Sequence, residues 1–316
     1  MDDPGRLFRV TEAGERIEVR AWDGSFHGVD WHLELEHPLL PGRLVNGKVV
    51  LVARKAIDAR AVAVTLHAEE HWRHRVSRPG PNNTTRTEVV TSREDVRTVP
   101  ENIHGPLRLA AGERWEAPFD LPVPPMGPAS LDARDAGLTW HLEAKLDIDD
   151  AFDSALEVPV LVAQPTALLR AGAVRVGQFA LYEGVDVTSE GIAATIHLEP
   201  MPLVAGEPFS GRVTLQLPVS TRLQEIRAEI RVDVKATVSG GESETITAWS
   251  GVLAPGGSYD GAVTFDVAGS LDPRPLPTIV LPHGQAQAMF RVTLARAWAV
   301  DTQLERDVTI ATTREL

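Results

Sequence analysis

The chain has 316 residues, 43% hydrophobic and 24% charged, so it can bury a core and is not a disordered polymer. Lysine plus arginine is 31 against 44 aspartate plus glutamate, and the net charge of −13 argues against nucleic acid as the main ligand. There is no cysteine, which removes disulfides, thiolate metal sites, iron–sulfur clusters and cysteine nucleophiles.

At about 150 residues per domain the length predicts two domains. The N-terminus, MDDPGRLFRV, carries acids and a proline where a signal peptide has basic residues before an apolar run. No window reaches 18 consecutive apolar residues, so a soluble cytoplasmic protein is expected. Basic residues are 27 Arg and only 4 Lys, a bias that points to a GC-rich, bacterial source.

Along the chain, period-two alternation is common and long helical periodicity is scarce. Val29, Trp31, Leu33 and Leu35 alternate with Asp30, His32, Glu34 and Glu36. Short runs follow at Val45, Val49 and Leu51, and at Val62, Val64 and Leu66. Residues 53–75 are rich in the good helix formers Ala, Glu and Arg. The spacing of two decides for a strand, because a helix would set Val62 and Val64 about 200° apart around its axis. Trp140, Leu142 and Ala144 alternate next, then Val213, Leu215 and Leu217, then Ile226 to Val234, then Phe290, Val292 and Leu294. Each predicts a strand buried on one face and wet on the other. Turn signals stand between them at Pro41-Gly42, Asn46-Gly47, Pro79-Gly80-Pro81-Asn82-Asn83, Gly240-Gly241 and Pro255-Gly256-Gly257. Many short strands with regular turns predict antiparallel sheets packed as sandwiches.

The pattern repeats. Residues 39–72 and 203–237 both run through an apolar pair, a glycine turn, a second glycine and then basic-Val-x-Leu. Gly42 aligns with Gly206, Gly47 with Gly211 and Val49 with Val213, a shift of 164. Farther on, Phe119-Asp120 aligns with Phe265-Asp266, a shift of 146, so the first copy is expected to hold 18 extra residues near 73–97. The domains expected are 1–165 and 166–316, with the join between Gln164-Pro165 and Val176.

With Pro41, Gly42, Gly47, Val49 and Leu51, then Phe119, Leu121, Pro122, Pro128 and Ser130, then Trp140, Leu142, Ala144 and Leu146, the chain resembles the arrestin family. The second copy lacks the Pro-x-Ser. The resemblance spans about residues 28–312 and implies an all-β protein of two tandem arrestin-like, immunoglobulin-like antiparallel β-sandwiches. It further implies a non-enzymatic scaffold, adaptor or regulator acting through protein–protein interaction. None of the family's phosphate-sensing residues maps onto this sequence, and no PPxY motif is present.

Two constellations carry chemistry. Residues 71–97 hold Arg73, Arg75, Arg78, Arg86, Arg93 and Arg97 against Glu88, Glu94 and Asp95, a local balance of +3. Arg73, Arg75, Arg78 and Arg86 are the candidate partner-binding residues, because arginine forks fit an acidic or phosphorylated protein. The alternative is a solvated hairpin whose arginines balance nearby acids. His67-x-x-Glu70-His71 matches the inverted zinc-protease pattern, which needs both histidines on one helical turn. A strand would instead hold the Cα atoms of His67 and His71 about 13 Å apart. A metal-dependent hydrolase on His67, Glu70 and His71 is therefore the runner-up, and His71, His74 and Glu69 form a weaker surface metal set. A carbohydrate- or lipid-binding sandwich is the third alternative. The acidic run from Asp147 to Asp153 lacks the glycine and closing glutamate of a calcium loop. The tryptophans read as core and strand-end packing. No cofactor is expected. Peripheral membrane association is compatible with the sequence, and the oligomeric state is open.

Overall fold

A computed structural model describes residues 15–22, 28–80, 84–125, 127–149, 153–171, 184–297 and 299–314, with residues 15–22 as backbone only. Part of the expected join (172–176), Pro81-Asn82-Asn83 of the predicted turn and residues 150–152 of the acidic run lie outside the described residues, as do His27, Trp22 and Trp298 as side chains. The regular elements among the described residues are strands, apart from one five-residue helix, α1 (Thr166–Arg170). The all-β class is therefore borne out.

The chain divides into two compact units, 1–71 with 93–130 and 138–163, and 72–92 with 131–137 and 164–316. The division follows contacts and not a single point in the sequence.

In the first unit, β1 (Glu15–Trp22), β2 (Val29–His37), β3 (Leu44–Ala53) and β7 (Arg114–Pro122) make one antiparallel sheet in the order β1-β2-β3-β7. A second sheet runs β5-β4-β8-β9, from β4 (Ile57–Pro79), β5 (Thr85–His104), β8 (Ala136–Ile148) and β9 (Ser154–Val160). A short β6 (Leu107–Leu109) also pairs with β4. Alternation places Val29, Trp31, Leu33 and Leu35 of β2 and Val62, Val64 and Leu66 of β4 in the core. Trp140, Leu142, Ala144 and Leu146 of β8 join them, each with no exposure. Each large side chain so buried stabilises the fold by about 1.5–3 kcal/mol. The indole of Trp31 donates to Ser154 Oγ at 3.0 Å, tying β2 to β9 across the sandwich. The helix-forming composition of 53–75 loses to its period-two pattern, since a helix would have put those valines on opposite sides.

In the second unit, β10 (Gly184–Ser189), β11 (Ile192–Glu199), β13 (Pro208–Ala236), β16 (Gly284–Ala295) and β15 (Ile279–Val280) follow one another. The 28-residue β14 (Ser243–Ser270) pairs with β13, and β17 (Thr302–Val308) with β16. β13 is the central strand of this seven-stranded sheet: its first part pairs with β11 and its second with β16, and its pairing with β14 shifts register between Leu217 and Thr221. β12 (Leu203–Val204) and β18 (Ile310–Ala311) pair in parallel.

The repeat is visible in register. Gly47 faces Leu35 on one side and Phe119 on the other; Gly211 faces Leu198 and Val267. The structural counterpart of Phe119 is thus Val267, not Phe265, which corrects the expected alignment by one pleat. The shift there is 148 (267 − 119), and the excess of the first copy is 16 residues (164 − 148), not 18. The excess falls in the arms of the β4–β5 hairpin, within the stretch expected to hold it.

Candidate partner-binding hairpin

The base of the β4–β5 hairpin is held within the second unit. β4 continues past its core residues and pairs with the turn between β13 and β14. Arg75 N donates to Gly240 O at 2.8 Å and Glu242 N to Arg73 O at 2.9 Å, around an antiparallel bridge between His74 and Gly241. Gly240 has φ +71, and a side chain there would also meet the Arg75 carbonyl at 2.9 Å, so this close approach requires glycine. The ring of Trp72 stacks on His283, with centroids 3.9 Å apart and planes within 17°.

Below this ladder lies a charged knot that sequence reasoning missed. Asp135 is 1% exposed. Its carboxylate accepts from Arg73 Nη1 at 2.7 Å and from Arg134 Nε and Nη2 at 2.9 and 3.1 Å. Glu244 Oε1 accepts the backbone N–H of both Arg134, at 2.5 Å, and Asp135, at 2.9 Å. Burial pushes the Asp135 carboxyl up, but the hydrogen bonds from Arg134 and Arg73 overcome it and hold the group below the usual carboxylate value. Asp135 stands in a crossover without alternation and 62 residues from Arg73, so the only sequence signal was a lone acid after Arg134.

Of the four candidate arginines, Arg73 is therefore committed to Asp135 inside the fold, and the other three project outward. Arg75 pairs with Glu242 at 2.6 Å while its side chain stays 64% exposed. Arg78 and Arg86 both reach Glu88, at 3.5 and 3.4 Å, with 65% and 77% of their side chains exposed. Such exposed pairs contribute about 0–1 kcal/mol each, so a partner carboxylate or phosphate displaces them at small cost. Within residues 75–90 the one acid is Glu88, which faces Arg78 and Arg86, while Arg75 faces Glu242.

The inverted zinc-protease set is not brought together, a correction to that alternative. β4 runs as a strand through His67, Glu70 and His71, so Glu70 is fully buried on the core face while His67 and His71 point the other way. The weaker set fails for the same reason: His71 and His74 fall on opposite faces of the strand, and Glu69 pairs with Arg93 at 2.5 Å. A hollow on β11, β13 and β14 is lined by His197, Glu199, Arg212 and Asp266. It is open and charged, unlike the closed apolar pocket that a lipid or sugar module needs.

Antiparallel sheets in both units, no helix longer than five residues among those described, and a basic hairpin continuing from β4 define an all-β protein. Residues 34–168 match the family model of the arrestin (or S-antigen) N-terminal domain, which supports an arrestin-like assignment for this part of the chain. The chain matches no curated protein. Among the described residues no helix is long and apolar enough to cross a membrane.

Proposed function

We propose that the protein is a non-enzymatic adaptor or regulator in the bacterial cytoplasm that docks an acidic or phosphorylated protein segment on the β4–β5 hairpin. The observation that carries this reading is the trio Arg75, Arg78 and Arg86, exposed at the hairpin and paired with Glu242 and Glu88, in a chain of net charge −13. Arginine forks suit carboxylate and phosphate oxygens, two N–H donors to two acceptors. The anchored base supports the role, because a stiff stem lowers the ordering cost of binding. The arrestin N-terminal domain supports an interaction function over catalysis.

The test is affinity capture from the cell of origin with the wild type and with the Arg75→Glu/Arg78→Glu/Arg86→Glu variant. A partner recovered with the wild type and lost with the variant supports the proposal. Equal recovery of every partner by both proteins refutes the assignment of the site.

A further inference from the structure

Outside the hairpin, on the outward face of the first unit, three ligating side chains converge from three adjacent strands. His67 comes from β4, His141 from β8 and Glu157 from β9, strands that lie next to one another in the order β4-β8-β9. All three sit opposite the core. On β4, residues 62 to 72 alternate with the even positions buried; on β8 the residues flanking His141 are buried; on β9, Leu156 and Val158 are buried around Glu157. In the β8–β9 register His141 faces Pro159 and Glu143 faces Glu157, so His141 and Glu157 are diagonal neighbours.

The ligand atoms meet closely. His141 Nδ1 lies 3.0 Å and His67 Nε2 3.4 Å from the same oxygen, Glu157 Oε1, and the two imidazole centroids are 5.2 Å apart. One ligating atom from each residue falls within 4.8 Å of the others. Four ligands at the 2.0–2.1 Å bond lengths of zinc stand about 3.3 Å apart at the corners of a tetrahedron, close to these separations. Beyond its 3.4 Å approach to Glu157, His67 Nε2 is shielded from solvent and makes no hydrogen bond, so an ion would satisfy it.

We propose that His67, His141 and Glu157 form a divalent transition-metal site of the zinc class, with a fourth position open to solvent. Two imidazoles and a carboxylate are a borderline donor set that suits zinc better than calcium or magnesium, which prefer all-oxygen shells. The site clips three neighbouring strands together from outside the core. The other charged groups facing the site are Glu69 on β4, Arg93 on β5 and Glu143 on β8, and the Glu69–Arg93 pair neutralises itself at 2.5 Å.

The test is zinc titration of the untagged full chain by calorimetry, with the melting temperature read in parallel. One equivalent is expected to bind and to raise the melting temperature by mass action. His67→Ala, His141→Ala and Glu157→Gln should each weaken binding by at least about tenfold, the loss seen even for outer-shell partners of a metal. His71→Ala, farther along the same face of β4, should bind as the wild type does. No stoichiometric binding by the wild type would overturn the site, as would equal weakening by His71→Ala or undiminished binding by His67→Ala/His141→Ala.

Discussion

His37 is 4% exposed, its Nε2 accepts the Leu161 N–H at 3.1 Å, and burial pushes its pKa down to about 4. Unfolded, the same ring protonates near 6.5. The unfolded chain therefore binds the extra proton first, so the contribution is whole above pH 6.5, declines as pH falls toward 4 and is lost below that. The shift corresponds to about 3 kcal/mol. Urea unfolding of the wild type and His37→Gln between about pH 7.5 and 4 should show a steeper loss in the wild type by roughly that amount. Parallel curves would contradict it. Asp135 makes a second residue-scale case. Asp135→Asn keeps the shape but leaves Arg73 and Arg134 without their anion. With Arg73 only 29% exposed and Arg134 largely in water, the expected loss is about 2 kcal/mol in denaturant unfolding, below that of a fully buried pair.

At the scale of elements, the two glycines that mark the repeat make the clearest comparison. A Cβ at Gly211 would stand 2.3 Å from the His197 carbonyl, a backbone atom that cannot yield. A Cβ at Gly47 would stand 2.2 Å from the Phe119 ring and 2.8 Å from the Glu34 carbonyl, and the ring can turn aside. Alanine at either position should destabilise its sandwich by about 1–3 kcal/mol, with Gly211→Ala the costlier. Equal melting temperatures for wild type and Gly211→Ala would show that the two strands do not approach so closely. The strands themselves were legible because alternation writes burial into the sequence at every second residue. The pairing of Phe119 with Phe265 failed for the same physical reason: a slip of two residues keeps every side chain on its face, so pattern alone does not choose between Phe265 and Val267. The candidate sites were half legible. The arginine-rich segment shows in composition, but the burial of Arg73 depends on Asp135, and the meeting of His67, His141 and Glu157 depends on how β4 lies beside the β8–β9 pair, far away in sequence.

Two arrangements combine at the scale of the whole molecule. Two copies of one sandwich plan supply rigid sheets, and the 16-residue excess of the first copy is spent in the hairpin that bears Arg75, Arg78 and Arg86. A net charge of −13 keeps the rest of the surface unattractive to an acidic partner, so the hairpin arginines set where such a partner lands. Binding of this kind should weaken as salt rises from about 0.05 to 0.5 M, because exposed charges are screened over a shorter Debye length. The most direct measurement is site-specific photo-crosslinking in the cell of origin, with the photoreactive residue placed at exposed Thr87 in the hairpin or at exposed Gln216 in β13. A partner adduct is expected from position 87, disappearing in the Arg75→Glu/Arg78→Glu/Arg86→Glu background, and none from position 216. Adducts from position 216 alone, or adducts from position 87 that survive the charge reversal, would contradict it.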